Sequence, residues 1–280
     1  MKKSLKIAAG LAAAALLLTG CSKSSETNER TWEKTDDGLT IVTVGATPTP
    51  HGEILAYIQE TQAKEAGLSI NVKEFNDYKQ PNAALDSGSL DANYFQHQPY
   101  LDDAVDQFGY KIETLTPVHL EPLGVYSQKV KSLKDLPEGA KIGVPNDPTN
   151  EGRALRLLVD EGLIELENPD DLNATPINIS RNDKKLEIVE LEAPQVARSL
   201  PDLDAAVINS NFALVNGLDP INDTIATERA DDNPYANVLV VRSEDKNEGP
   251  LKKLAELLCS TQTQDWITQK YQGSVVPACK

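Results

Sequence analysis

Leu39-Thr40-Ile41-Val42-Thr43-Val44-Gly45-Ala46 is a β-branched, apolar run that closes on a glycine and an alanine. That composition predicts a buried strand. Thr47-Pro48-Thr49-Pro50-His51-Gly52 follows as a turn, and residues 53–66 carry a helical pattern stopped by Gly67. Residues 70–75 read as a second strand. The chain therefore opens strand, loop, helix, strand, which is the unit of a parallel sheet with crossover helices. In such sheets ligands bind beyond the carboxyl ends of the strands.

Two further segments end at the same rim. Asn76-Asp77-Tyr78 follows the second strand, and residues 92–95 form a third, with a short helix from Pro81 to Leu85 between them. Asp91-Ala92-Asn93-Tyr94-Phe95-Gln96-His97-Gln98-Pro99-Tyr100-Leu101 then gathers three rings, an imidazole and two glutamine amides around a helix-opening proline. The chain is only 5% aromatic, so this density needs a cause. One reading is a buried strand end. The other is a pocket wall, with rings for apolar surface and His97 and the amides for direction. Three strand ends converging on one rim favour the pocket.

The chain then repeats its opening. A helix over 99–108, a strand over 112–119 and an extended segment over 123–127 lead to Ala140-Lys141-Ile142-Gly143-Val144-Pro145. A capping cluster, Asn146-Asp147-Pro148-Thr149-Asn150, precedes a helix over 151–161. A fresh strand–turn–helix about 100 residues after the first implies a second α/β domain. Strands over 186–191, 205–208 and 238–242, and helices over 194–200, 250–258 and 264–271, complete the reading.

The N-terminus answers where the protein resides. Lys2, Lys3 and Lys6 precede an apolar run over 7–18, too short to span a bilayer but suited to a signal segment. It ends in Leu18-Thr19-Gly20-Cys21, which resembles the bacterial lipobox, where cleavage leaves a lipidated cysteine. Residues 1–20 are thus expected to be removed, and Cys21 to carry acyl chains that hold the protein at the outer face of a membrane. Residues 21–38 are polar and aperiodic and read as a disordered tether with a reach of about 23 Å.

The formal charge is −16; without the three signal lysines, 24 basic residues face 43 acidic ones, a net of −19. That balance repels nucleic acid and anionic lipid and suits a monomeric surface protein. Cys259 and Cys279 remain as an even pair in an oxidising compartment, joined or free. His51, His97 and His119 have no Cys or His partner at metal-ligand spacing, so no metal is expected. There is no G-x-S-x-G elbow, no P-loop and no dinucleotide fingerprint. The chain reads as a binder and not as an enzyme.

Arg153 falls in the expected first turn of the helix behind residues 146–150. A helix N-terminus favours anions. A guanidinium there is matched either by a bound carboxylate gripped through both oxygens, with Asn150 beside it, or by one of the chain's own acidic side chains. Asn209 and Asn211 follow the apolar run 205–208, and Asn237 precedes the run 238–241. Each is an ordinary cap or turn residue singly, but asparagine carries both donor and acceptor, and the repeated placement at strand ends suggests a pocket.

Several long motifs resemble the NlpA family of methionine-binding lipoproteins. They are Gly45-Ala46-Thr47-Pro48-Thr49-Pro50-His51, Asp77-Tyr78-Lys79-Gln80-Pro81-Asn82, the stretch 91–101, Val144-Pro145-Asn146-Asp147-Pro148-Thr149-Asn150-Glu151-Gly152-Arg153-Ala154-Leu155, Glu190-Leu191-Glu192-Ala193-Pro194-Gln195 and Asn233-Pro234-Tyr235-Ala236-Asn237. The resemblance covers the chain from about residue 39 onward. It implies a two-domain α/β fold of the periplasmic-binding-protein type II class, with domain I over 39–122 and 238–280 and domain II over 123–237. It implies a lipid-anchored receptor that delivers methionine to the permease and ATPase subunits of an ABC importer, without catalysis or cofactor. Ligand contacts are implied at Tyr78, Phe95, His97, Tyr100, Arg153, Asn209 and Asn237, with Asn150 added from the helix argument. Tyr94 and Leu101 are expected to pack instead. A methionine-containing dipeptide, another apolar amino acid, or a non-transport surface role are the alternatives. The C-terminal cysteine pair lies outside the family's pattern.

Overall fold

The computed structural model describes residues 30–279. The signal segment, Cys21 and the first part of the tether lie outside the described residues. Contacts divide the chain between Thr31 and Trp32, so residues 32–38 belong to the folded body, whereas the sequence places them in the tether. The Trp32 indole packs on the core and donates to Glu248 at 3.0 Å. The Thr35 hydroxyl accepts from the Leu39 amide at 3.0 Å, and Lys34 bridges Thr40. One aromatic ring and a local turn were enough to override a polar composition.

The chain builds β1 (Thr40–Ala46), α1 (Glu53–Thr61), β2 (Leu68–Glu74), α2 (Gln80–Asp86), β3 (Ala92–His97), α3 (Gln98–Phe108) and β4 (Ile112–Leu120). It then forms β5 (Gly124–Tyr126), β6 (Lys141–Pro145), α4 (Pro148–Asp160), β7 (Glu165–Leu166), β8 (Ile179–Arg181) and β9 (Glu187–Leu191). α5 (Ala193–Ser199), β10 (Ala205–Ile208), α6 (Ser210–Val215) and β11 (Thr224–Thr227) follow. β12 (Ala236–Arg242), α7 (Gly249–Leu258), α8 (Thr261–Tyr271) and β13 (Val276–Pro277) end it. The strands form a six-stranded sheet, β13-β4-β12-β3-β1-β2, and a five-stranded sheet, β11-β5-β10-β6-β9; β7 and β8 form a small ribbon.

Both sheets are mixed. β1 runs parallel to β2 and β3, and β6 parallel to β9 and β10, as the crossover pattern predicts. β12 is antiparallel to both β3 and β4 because it returns from the second sheet and enters the first from the far end. The chain passes between the sheets twice, over 121–123 and 228–235. These strands of chain are tied together: the Glu228 amide donates to the Leu123 carbonyl at 2.9 Å.

Each sheet has its own apolar core. Val42, Val44, Ile54, Leu55, Tyr94, Leu239 and Leu254 are fully buried in the first; Val125, Ile142, Val144, Leu155, Leu158 and Val207 in the second. All six residues of β3 are buried, although three are polar. The Asn82, Asn93 and Gln96 amides satisfy one another, with Asn82 donating to Gln96 at 2.8 Å and Asn93 donating to Asn82 at 2.8 Å. Burial of that strand is stable because its amides are paired. Cys259 and Cys279, left open by the sequence, are bonded with S–S 2.06 Å, tying the tail to the end of α7.

α4 starts at Pro148, three residues earlier than expected, because the Asp147 carboxylate caps it by accepting from the Asn150 amide at 3.0 Å. Arg153 accordingly lies in the second turn, not the first. Gly152 lets α4 approach the loop over 172–174: a Cβ there would stand 2.2 Å from the Leu172 carbonyl oxygen. We expect Gly152→Ala to lower the thermal midpoint by about 4–8 °C, from ~2 kcal/mol of overpacking. An unchanged midpoint by circular dichroism would contradict this packing.

Candidate functional site

Strand register assembles the site. His97, Asn237 and His119 stand opposite one another on the adjacent strands β3, β12 and β4. Asn209 follows β10 directly, and Asn150 and Arg153 project from the first two turns of α4. Together with the Tyr78 loop and α3, these elements enclose a cavity of about 340 Å³, part of it open to solvent. All eight residues singled out in the sequence line it: Tyr78, Phe95, His97, Tyr100, Asn150, Arg153, Asn209 and Asn237. Tyr94 and Leu101 pack into two different apolar clusters.

The apolar wall is aromatic. The Tyr78 ring lies 5.9 Å from Phe95, 5.8 Å from Tyr100 and 5.0 Å from Phe212, centroid to centroid. The Tyr100 hydroxyl donates to the Tyr78 carbonyl at 3.0 Å, which fixes that loop to α3.

The polar wall has a defined direction. His97 caps α3, its Nδ1 accepting from the Tyr100 amide at 3.1 Å. A neutral ring with Nδ1 as acceptor carries its proton on Nε2, and burial, then Arg153, pushes its pKa down to about 3. Nε2 therefore donates to Asn150 Oδ1, 3.1 Å away. Asn150 Nδ2 donates to the Asp147 carboxylate at 2.8 Å, which confirms that its oxygen is the acceptor. Asn209 Nδ2 donates to the same oxygen at 2.8 Å, so Asn209 Oδ1 is left as a buried acceptor with no protein partner among the described residues. Asn211 is the converse: its Oδ1 accepts from the Tyr78 hydroxyl at 2.6 Å, and its Nδ2 is buried without a partner. The cavity thus presents one orphan acceptor and one orphan donor. Buried orphans of this kind cost free energy unless a ligand or water meets them.

Arg153 realises the internal ion pair that the sequence left as an option. Its Nε donates to Glu228 Oε1 at 2.9 Å and its Nη2 to Glu228 Oε2 at 2.5 Å and to the Glu121 carbonyl at 2.8 Å. The guanidinium also lies 4.3 Å from the Tyr235 ring centroid. Its Nη1 makes no hydrogen bond among the described residues, so two N–H groups remain for an anion while Glu228 holds the plane in place.

Sequence reasoning missed Glu121 and Ser210 in the lining; Gln96 entered only as one of the amides of the stretch 91–101, and Asn211 only accompanied Asn209. It also left His51 and His119 without partners; the structure corrects this. Their rings lie 5.0 Å apart behind the cavity, and both face Glu121. One ligand atom from each of the three lies within 4.8 Å of the others, spacing a metal ion would accept. Each is already hydrogen-bonded within the protein. Chain separations of 68 and 70 residues hid this group.

Beside the site, the buried Glu151 carboxyl is pushed up to about 8 by burial and by the neighbouring Glu190. Its folded pKa exceeds the ordinary 4.5, so the native state holds a proton that the unfolded chain releases between those values. Stability from this group is present at low pH and lost as pH rises through about 8. Glu151→Gln keeps the neutral form throughout. Its thermal midpoint should gain on the wild type between pH 5 and pH 8; a difference that stays flat would contradict the buried acid.

Comparison with known proteins places the chain. The family model described as NlpA lipoprotein matches residues 42–279. The methionine-binding lipoprotein MetQ of Bacillus subtilis is 41% identical over 246 residues, spanning 86% of this chain and 89% of that protein. The D-methionine-binding lipoprotein MetQ of Escherichia coli K12 is 37% identical over 272 residues, 96% of each. Among solved structures, a nutrient-binding protein from Burkholderia cenocepacia bound to methionine is 49% identical with a TM-score of 0.82, covering 85% of this chain and 99% of that one. The chain, with its α/β fold of two lobes, belongs to the NlpA lipoprotein family of substrate-binding proteins.

Proposed function

We propose that this protein captures methionine outside the cell membrane and delivers it to an ABC importer, anchored by lipid on Cys21. The observation that carries the reading is the pairing of opposite polar orphans beside an aromatic wall. Arg153 Nη1 and the Asn211 amide suit a carboxylate. Asn209 Oδ1 and the Glu121 carboxylate suit an α-ammonium. The Phe95, Tyr78 and Tyr100 rings suit a thioether, since sulfur–aromatic contacts add about 0.3–1.5 kcal/mol to the ~1.5–3 kcal/mol of burying the side chain. Micromolar binding needs about 8 kcal/mol, so the charged contacts and lobe closure supply the larger share.

The ligand-binding roles of Tyr78, Phe95, His97, Tyr100, Asn150, Arg153, Asn209 and Asn237 belong to this proposal, as do a monomeric state and the absence of catalysis. So does the division into domain I (39–122 and 238–280) and domain II (123–237), with hinges over 121–125 and 225–238. Closure is supported by contacts that bridge the two sheets' sides of the cleft. Tyr78 bonds Asn211, His97 bonds Asn150, and Lys79 pairs with Glu192 at 2.7 Å.

A methionine-containing dipeptide is the second reading. A larger cleft of about 1230 Å³, open to solvent, adjoins the cavity past its aromatic wall and shares Tyr78 and Tyr100 with it, giving room for a ligand longer than one residue. Mass spectrometry of the ligand that co-purifies with the protein separates the two.

Calorimetry should show micromolar or tighter methionine binding by the wild type. Arg153→Ala should lose at least about 100-fold, because it removes charged hydrogen bonds and strands Glu228. Phe95→Ala and Tyr100→Ala should each lose less. An Arg153→Ala protein that folds and binds like the wild type would overturn the carboxylate assignment.

A further inference from the structure

His51 and His119 are 1% and 0% exposed and line no part of the cavity, yet each grips a residue that does. His51 Nε2 lies 3.0 Å from Asn237 Oδ1, and its Nδ1 lies 2.7 Å from the Thr47 hydroxyl. His119 Nε2 lies 2.8 Å from Glu121 Oε1, and its Nδ1 meets the Tyr94 hydroxyl. Both partners at Nδ1 are hydroxyls, which donate or accept; at Nε2 the Asn237 oxygen only accepts, as does Glu121 in its ionised form, although burial raises its pKa. With Glu121 ionised, a single assignment satisfies every atom. Both rings are neutral with the proton on Nε2, Thr47 and Tyr94 donate to Nδ1, and Glu121 is the acceptor shared by the two imidazoles, the His51 approach being 3.4 Å.

We propose that His51 and His119 are positioning residues for the ligand cavity. His51 holds the Asn237 amide with its oxygen turned back, leaving the Nδ2 hydrogens for the ligand's carboxylate. His119 holds the Glu121 carboxylate at the wall where the ligand's ammonium arrives. Burial keeps both rings neutral, pushing His51 down to about 4 and His119 to about 3. The turn after β1 therefore reaches the ligand through Asn237 and Glu121. Pro48, Pro50 and Gly52 in that turn serve to deliver an imidazole behind the site.

The identity of the ligand rests on the methionine reading; the polarity assignment does not. The full mature chain labelled with ¹⁵N-histidine, without ligand at pH 7, should show His51 and His119 as Nε2–H tautomers. An Nδ1–H tautomer at either would overturn the proposal. In methionine calorimetry, His51→Gln, whose amide nitrogen stands in for Nε2–H, should stay within about threefold of the wild type. His51→Leu should lose about tenfold, as for one buried hydrogen bond. The same pair at His119 should behave alike, with thermal midpoints showing that all four variants fold. Leucine variants within threefold of wild type would overturn the positioning role. So would stoichiometric zinc binding that His51→Leu abolishes, since the trio would then be a metal centre. A wild type that binds no methionine would sink the functional reading alone, and the tautomer spectrum would then decide the positioning.

Discussion

The cleft depends on one oxygen. Asn150 Oδ1 accepts from His97 on one side of the cleft and from Asn209 on the other, while its own amide nitrogen is committed to Asp147. The assignment is forced from two ends. A backbone amide occupies His97 Nδ1, and a carboxylate occupies Asn150 Nδ2. Every amide between those ends then has a single polarity, and an acceptor is left facing the cavity. Among these buried groups, reversing one such amide sets two like dipoles together. Specificity for a zwitterion thus begins with the cap of α3 and the cap of α4.

The sheets make this economy possible. Antiparallel insertion of β12 between β3 and β4 puts Asn237 level with both His97 and His119. The same insertion brings the chain back from the second sheet beside its outgoing crossing, so the cleft has two short connections. Arg153 and Glu228 bridge helix α4 to the returning segment, and the Arg153 contact with the Glu121 carbonyl reaches the outgoing one. The guanidinium is thereby attached to both crossings as well as to the cavity. A carboxylate bound there acts where the lobes are joined.

Much of this was legible in the sequence, and the reasons differ by feature. Strands β1, β3, β6 and β10 and the turns after them were readable because apolar runs and capping residues are local signals. From those, the rim of the site followed; seven of the eight predicted contact residues came from the resemblance to the NlpA family, with Asn150 added from the helix argument. Arg153 was placed a turn too early because the helix start depends on Asp147 and Pro148 acting together. Its internal partner Glu228 was one of many acidic residues, with nothing in sequence to select it. His51, His119 and Glu121 meet only through strand register and the turn after β1, which no periodicity encodes. The packing of Trp32 was invisible for the same reason: a polar segment is held by one ring whose pocket is made elsewhere.

The central claim is that the protein fixes the direction of a zwitterion through the polarity of its own amides. A crystal structure of the chain grown with methionine tests it most directly. The account predicts the ammonium nitrogen against Asn209 Oδ1 and Glu121, and the carboxylate against Arg153, Asn211 and Asn237. A ligand bound with its two ends exchanged, or seated in the outer cleft beside Lys79 and Glu192, would contradict it.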